Sequence, residues 1–205
     1  MIINYNKKFI YMSIPKVAST TLHRFFNKSV EHSHVRWDAI EVKSENKEID
    51  YNKFFSFTVV RNPWQRLYSC WKDKCFIDDK YLENAPFFKK HKYVSFDRFV
   101  SVVGEQIKEN HWCDPHIRPM NKLLSGYKEN LEIENIDYVG KIETLNCDIE
   151  CVLKNLKVQC EFPNMVLNKG RGVSSNYADV YTKDIIERVG SIYEADIVKF
   201  GYSFA

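Results

Sequence analysis

The stretch Pro15-Lys16-Val17-Ala18-Ser19-Thr20-Thr21 sets one lysine and three consecutive hydroxyl residues directly behind an apolar segment. A strand that ends in such a turn and enters a hydroxyl-rich helix makes an anion cradle. Backbone N–H groups at the helix start lack intrahelical partners, the helix dipole adds partial positive charge, and the lysine adds a full one. The spacing departs from GxxxxGK[ST], so this is not a Walker A loop. The same residues also read as an ordinary capped helix beside a surface lysine, because Ser and Thr are common caps. Arg61 closes a second apolar run, and Ser69 follows it past a turn and about two turns of helix. A guanidinium fork fits a phosphate, and a serine on the adjacent helix adds a donor. The alternative is an arginine that holds its own turn.

Group transfer to a hydroxyl also needs a base, and histidine titrates near neutrality. The chain has His23, His32, His34, His91, His111 and His116. His32 and His34 fall in the stretch HSHV, between the two anion-binding segments. His111, Cys113 and His116 in HWCDPH could be read as metal ligands. No second ligand pair stands at a convincing spacing, so no metal is expected. Cys147 and Cys151, one helical turn apart, read as core or free thiols.

These groups need a scaffold. Residues 8–14 and 54–60 are apolar runs that predict buried strands, and residues 136–142 predict a third strand. Helical spacing appears from Ser19 (Leu22, Phe25, Phe26), after Pro63 (Leu67, Cys70, Trp71) and after a capping Ser95 (Phe99, Val100, Val103, Ile107). It recurs at Leu145, Ile149, Val152 and Leu156, and from about Thr182 to Ile197. The stretch from Ser29 to Asn52 reads as a polar loop. Alternating strands and helices predict an α/β fold with a central parallel sheet flanked by helices, and ligands beyond the carboxyl ends of the strands. Lys16 and Arg61 both stand at such ends. No repeat or linker interrupts the chain, so a single domain over residues 1–205 is expected.

Composition removes several function classes. The chain of 205 residues is 44% hydrophobic and 28% charged, enough to build a core and unlike a disordered segment. A net charge of +3 is too small for a general nucleic-acid binder, yet it suits a local basic pocket. No apolar run approaches bilayer length, so no stable membrane insertion is expected. Six cysteines are too sparse for a disulfide scaffold and predict free thiols in the cytoplasm.

Taken together, PKVASTT and FTVVRNPWQRLYS resemble the two cofactor-binding motifs of the sulfotransferases. The resemblance is closest to the carbohydrate branch, sulfotransferase family 2, with its chondroitin, dermatan and heparan 2-O-sulfotransferases and small bacterial relatives. It continues through SFDRFV, HWCDPH, IDYVGKIETL and YEADIVKFGYSF. It implies a P-loop-like fold and the sulfuryl donor 3'-phosphoadenosine 5'-phosphosulfate (PAPS), released as the bisphosphate PAP. By the motif match, Lys16, Ser19, Thr20 and Thr21, in the loop of Pro15, Val17 and Ala18, would hold the 5'-phosphosulfate. Arg61 and Ser69 would hold the 3'-phosphate. The later segment NKGRGVSSN is similar to a basic closing loop and offers Lys169 and Arg171; a basic surface loop is the competing reading. An HxHV stretch supplies the base in the heparan 2-O-sulfotransferase, which implies His34, with His32 as the second candidate. The HWCDPH segment would border a carbohydrate acceptor.

Ala18 stands where many members have glycine. Eukaryotic members usually carry an anchor and stem, and none is read here, so a compact, bacterial-type, cytoplasmic enzyme is expected. Two other readings stay open: an ATP-dependent small-molecule kinase, and a nucleotide-binding module without turnover. The kinase lacks its Walker glycines and an evident Mg²⁺-holding acidic motif. The inert module sits poorly with Lys16, His34 and Arg61 all present.

Overall fold

In a computed structural model, residues 1–35, 39–78, 82–109, 113–163 and 177–204 are described. They form two compact units: Met1–Arg61 with Lys122–Asn168, and Asn62–Asn121 with Lys169–Ala205.

The first unit holds a five-stranded sheet. Its strands are β1 (Ile2–Asn4), β2 (Phe9–Tyr11), β3 (Ser33–Val35), β4 (Phe55–Val60) and β5 (Tyr138–Lys141), in the order β3-β1-β2-β4-β5. The predicted parallel sheet is present as β2, β4 and β5, where Tyr11 is level with Phe57 and Val60 with Lys141. β1 and β3 extend one side of it in antiparallel pairing. Neither of these strands was expected, since three residues are too few to show a period and β3 lies in the stretch read as a loop. Their pairing is fixed by partners distant in sequence. The buried Asn4 amide donates to the Glu31 carbonyl (2.8 Å) and the Ser33 hydroxyl (3.1 Å), and its oxygen accepts from the Lys7 N–H (2.7 Å).

Helix α1 (Ser19–Ser29) forms where its apolar spacing predicts and buries Leu22, Phe25 and Phe26. Phe26 meets Phe9, Tyr11 and Phe57, with ring centroids 5.6, 6.2 and 5.4 Å away. Each buried ring stabilises the unit by about 1.5–3 kcal/mol, so this cluster fixes the face of the sheet on which α1 lies. The unit also contains α2 (Ala39–Glu45), inside the stretch read as a loop. Most of α6 (Met120–Leu131) and all of α7 (Leu145–Asn155) complete it.

The second unit is helical. It contains α3 (Pro63–Lys74), α4 (Pro86–Lys90), α5 (Phe96–Glu109), α8 (Lys183–Ile192) and α9 (Glu194–Phe200). Asn62 caps α3 by accepting from the Trp64 N–H (3.1 Å), and Thr182 caps α8 by accepting from the Ile185 N–H (3.3 Å). Trp64, Leu67, Phe96, Phe99, Val103, Ile185 and Val189 lie in one apolar core. Buried polar groups then hold residues 113–121. Arg66 donates to the carbonyls of Arg118 and Pro115, both at 2.9 Å. The Tyr193 hydroxyl donates to the Ile117 carbonyl at 2.7 Å, and Asp196 accepts from the N–H groups of Met120 (2.7 Å) and Asn121 (2.8 Å).

Candidate anion-binding site

The loop after β2 is held before it turns. The Met12 N–H donates to the Phe57 carbonyl (2.8 Å), and the Thr58 hydroxyl donates to the Met12 carbonyl (2.7 Å). The Tyr127 hydroxyl from α6 donates to the Ser13 carbonyl (3.0 Å). The loop then adopts the left-handed region twice, at Lys16 (φ 70°) and Ala18 (φ 60°), while Val17 between them is fully buried. Alternating backbone hands curl successive N–H groups into a concave anion-binding nest. Each non-glycine residue in that region costs about 1–2 kcal/mol. Such strain persists where the surroundings over-determine it, and it marks functional loops.

The helix start completes the cradle. Ala18 occupies the N-cap position, has no side-chain capping bond, and no acidic residue lies in the first turn. The Leu22 N–H makes the first intrahelical bond, to the Ala18 carbonyl at 3.0 Å. The sequence predicted Ser/Thr capping; instead alanine takes the cap, so the hydroxyls of Ser19, Thr20 and Thr21 are not spent on it. A helix start with no carboxylate beside it keeps its N–H groups and dipole for an external anion.

Arg61 follows the last residue of β4, and its Nη1 donates to the Lys16 carbonyl at 3.2 Å. The fold therefore brings Arg61 to the Lys16 loop within one unit, although 45 positions separate the two in sequence. Ser69 lies half-buried on α3 in the second unit. Lys169 and Arg171 fall outside the described residues.

His34 sits in the centre of β3, an outer strand of the sheet, with its side chain exposed. Ile2 is opposite both Val35 and Tyr11, so β3 runs in the direction of β2 and ends level with it, toward the cradle. Two strand spacings, about 10 Å, separate His34 from β2. Its register partner is Ile3, whose other partner is Ile10, on the face opposite Tyr11 and α1. His32 is exposed, has φ 61°, and precedes β3 at the end of the sheet away from the cradle. His23, on α1, packs edge-on to the Tyr11 ring (5.9 Å). Burial, and then the nearby amino terminus, push it down to about 4, too low for an effective base at neutral pH.

Of the HWCDPH segment, His111 and Trp112 fall outside the described residues. The Cys113 thiol is pushed up by burial. Asp114 Oδ1 accepts from the His116 N–H (2.9 Å) and lies 2.8 Å from His116 Nδ1. Burial alone would raise the Asp114 pKa, but these bonds outweigh it and hold the carboxyl below its ordinary range. Arg118 Nε donates to the Cys113 carbonyl at 3.0 Å. Among the described residues, no group of three or more His, Cys, Asp or Glu is placed to hold a metal ion.

Sequence reasoning missed Asp148. It accepts from the Tyr138 hydroxyl (2.7 Å), the Lys141 N–H (2.8 Å) and the Thr144 hydroxyl (2.6 Å), and so shapes the turn that follows β5. Gly140 carried the signal. A Cβ there would stand 3.0 Å from the Asp148 Cβ, so the glycine admits α7 to the strand.

The chain belongs to the Sulfotransferase family, whose model covers residues 1–203. It is 25% identical to carbohydrate sulfotransferase 12 of Mus musculus, over 93% of this chain and 49% of that protein. It is 26% identical to carbohydrate sulfotransferase 12 of Xenopus laevis, over 91% of this chain and 47% of the relative. Carbohydrate sulfotransferase 10 of Xenopus laevis is 28% identical over 74% of this chain and 48% of its own length. The chain thus spans about half the length of the curated relatives it matches. No solved structure matches it.

Proposed function

We propose that the protein transfers a sulfuryl group from PAPS to a carbohydrate hydroxyl. The observation that carries this reading is the pair of left-handed residues, Lys16 and Ala18, directly before a helix start with neither a capping side chain nor an acid. Family membership supports a sulfate donor, and the names of the relatives support a carbohydrate acceptor.

When bound, PAPS supplies the sulfuryl group and a phosphate leaving group. The N–H groups of the nest and helix start, with the hydroxyls of Ser19, Thr20 and Thr21, hold the 5'-phosphosulfate. Lys16 compensates the charge that grows on the departing phosphate oxygen as its bond to sulfur breaks. Arg61 binds the 3'-phosphate with Ser69, while its Nη1 keeps the cradle carbonyl in place. His34 accepts the hydroxyl proton as the acceptor oxygen bonds to sulfur, with His32 as the alternative base. Lys169 and Arg171 are the further basic residues proposed to bind the nucleotide. Charge compensation and positioning account for the rate, as in phosphoryl transfer. The proposed setting is the cytoplasm, which six free thiols support.

The test is a calorimetric titration with PAP, with ADP plus Mg²⁺ as the comparison. Metal-independent PAP binding is expected. Replacing Arg61 by Ala should weaken it about 10- to 100-fold, the worth of one lost charge-assisted contact. A preference for Mg²⁺–ADP, or no PAP binding, overturns the reading in favour of a kinase.

A further inference from the structure

Cys147 and Cys151 stand one helical turn apart on α7, and neither belongs to the core: both are free thiols and both are exposed. Leu145, Ile149, Val152 and Leu153 form the buried face of the helix. Residues four apart on a helix are surface neighbours, with Cβ atoms about 5–6 Å apart. The two thiols therefore stand side by side on the solvent face of α7. The other cysteines are not available in this way. Cys70, Cys75 and Cys113 are buried, and Cys160 is half-buried beyond the end of the helix.

The turn that carries the pair is pinned. Asp148, next to Cys147, accepts from the Tyr138 hydroxyl (2.7 Å), the Lys141 N–H (2.8 Å) and the Thr144 hydroxyl (2.6 Å). Cys151 stands beside the same group: burial, then Asp148, then the Cys151 thiol push the Tyr138 phenol up.

That rigidity decides which chemistry the pair suits. A disulfide draws its Cβ atoms to about 3.5–4.5 Å, which would distort a helix held at Asp148. One metal ion bound by both sulfurs leaves them farther apart. With metal–sulfur bonds of about 2.3 Å, the sulfurs lie up to about 4.6 Å from one another. That span fits the helical spacing without a change of backbone. Ligand type and number then select the ion. Thiolates are soft ligands that favour Cu(I) and Zn²⁺. Zn²⁺ takes four ligands, and among the described residues no group of three or more His, Cys, Asp or Glu is placed to hold a metal ion. The acids of the same stretch, Glu143 and Glu150, are exposed, and carboxylates suit hard ions. Cu(I) is satisfied by two thiolates in line.

We propose that Cys147 and Cys151 form a surface site for one Cu(I) ion, held by both thiolates across one turn of α7. Each thiol releases its proton on binding, and the copper keeps its oxidation state. The site is independent of the nucleotide and acceptor reading above.

The experiment titrates the full chain with Cu(I) under anaerobic conditions against the coloured chelator bicinchoninate, with Zn²⁺ as a separate titrant. One Cu(I) per chain should bind without a change of oligomeric state, protect two thiols from alkylation and raise the melting temperature. Cys147→Ser and Cys151→Ser should each weaken binding at least about 100-fold, because each removes the chelate. Cys160→Ser should change nothing. A further variant combines Cys147→Ser with Glu150→Cys, which keeps the number of thiols but sets them at adjacent positions that do not face each other. It should bind as weakly as the single variants. Unchanged melting temperatures without metal show that the variants are folded. Binding retained in either single variant or in the relocated one, loss of binding in Cys160→Ser, half an ion per chain with dimer formation, Zn²⁺ bound more tightly than Cu(I), or no Cu(I) binding overturns the proposal.

Discussion

Ala18 offers the most direct test of the cradle, because one substitution relaxes its geometry and another forbids it. At φ 60° the alanine Cβ is crowded, at about 1–2 kcal/mol. Glycine removes that cost but adds about 0.4–1 kcal/mol of unfolded-chain entropy. Ala18→Gly should therefore leave stability between unchanged and about 1.5 kcal/mol higher, a rise of at most about 6 °C for a chain of this size. PAP affinity should be kept, since the nest needs only the backbone. Ala18→Val places a β-branched residue at a positive φ and should cost about 2–3 kcal/mol. That corresponds to a fall of about 4–12 °C, with PAP binding weakened at least about tenfold as the loop leaves its alternating conformation. Thermal melts and calorimetry on the three proteins decide the matter. A valine variant that melts and binds PAP like the unaltered chain would refute the claim that the left-handed cradle is the binding element.

Three further outcomes are expected. His34→Asn should lower turnover about 10²–10⁴-fold with PAP affinity intact, while His32→Asn should have a far smaller effect; steady-state rates with a carbohydrate acceptor separate the two. Asp114 should titrate below the ordinary carboxylate range, so its contribution to stability is present above the unfolded-state value and is lost as pH falls through the folded one. His116→Ala should move that titration upward in carbon-detected NMR, and an unmoved Asp114 would show that the histidine bonds are not its cause. Gly140→Ala should destabilise the protein by about 1–3 kcal/mol in chemical denaturation, because its Cβ would meet the Asp148 Cβ at 3.0 Å.

The proposed cradle shows how an anion loop can be built without the usual glycines. A P-loop uses glycine to reach left-handed conformations at no steric cost. Here Lys16 and Ala18 adopt them under strain, held by the buried Val17 side chain on one side and the Arg61 bond to the Lys16 carbonyl on the other. Arg61 thereby has two roles in the proposed function. One arm orders the loop, and the guanidinium is the proposed partner of the nucleotide's 3'-phosphate.

Much of this was legible in the residues. The apolar runs at 8–14 and 54–60 mark two of the three parallel strands, because a strand buried on both faces is largely apolar, whereas β5 within 136–142 is only partly buried, with Val139 exposed. Leu22, Phe25 and Phe26 give α1 its buried face, since helical spacing alone puts them on one side. Lys16 and Arg61 could be assigned to strand ends for the same reason. The antiparallel strands Ile2–Asn4 and Ser33–Val35 were not legible, nor was the helix Ala39–Glu45, because elements this short are stabilised by distant partners rather than by their own pattern.

The sequence by itself thus determined which residues could bind an anion, the strand ends that carry them, and the family to which the chain belongs. Only the tertiary structure decided that alanine rather than serine occupies the cap of α1, and that Arg61 reaches the Lys16 carbonyl. It also decided that His34 lies on an outer strand that ends level with β2, on the cradle side of the sheet, while His32 precedes that strand at the other end. The reason is physical. Periodicity encodes which face of an element is buried, a local property, whereas backbone hand, strand register and long-range hydrogen bonds are set by packing between segments that the sequence keeps far apart.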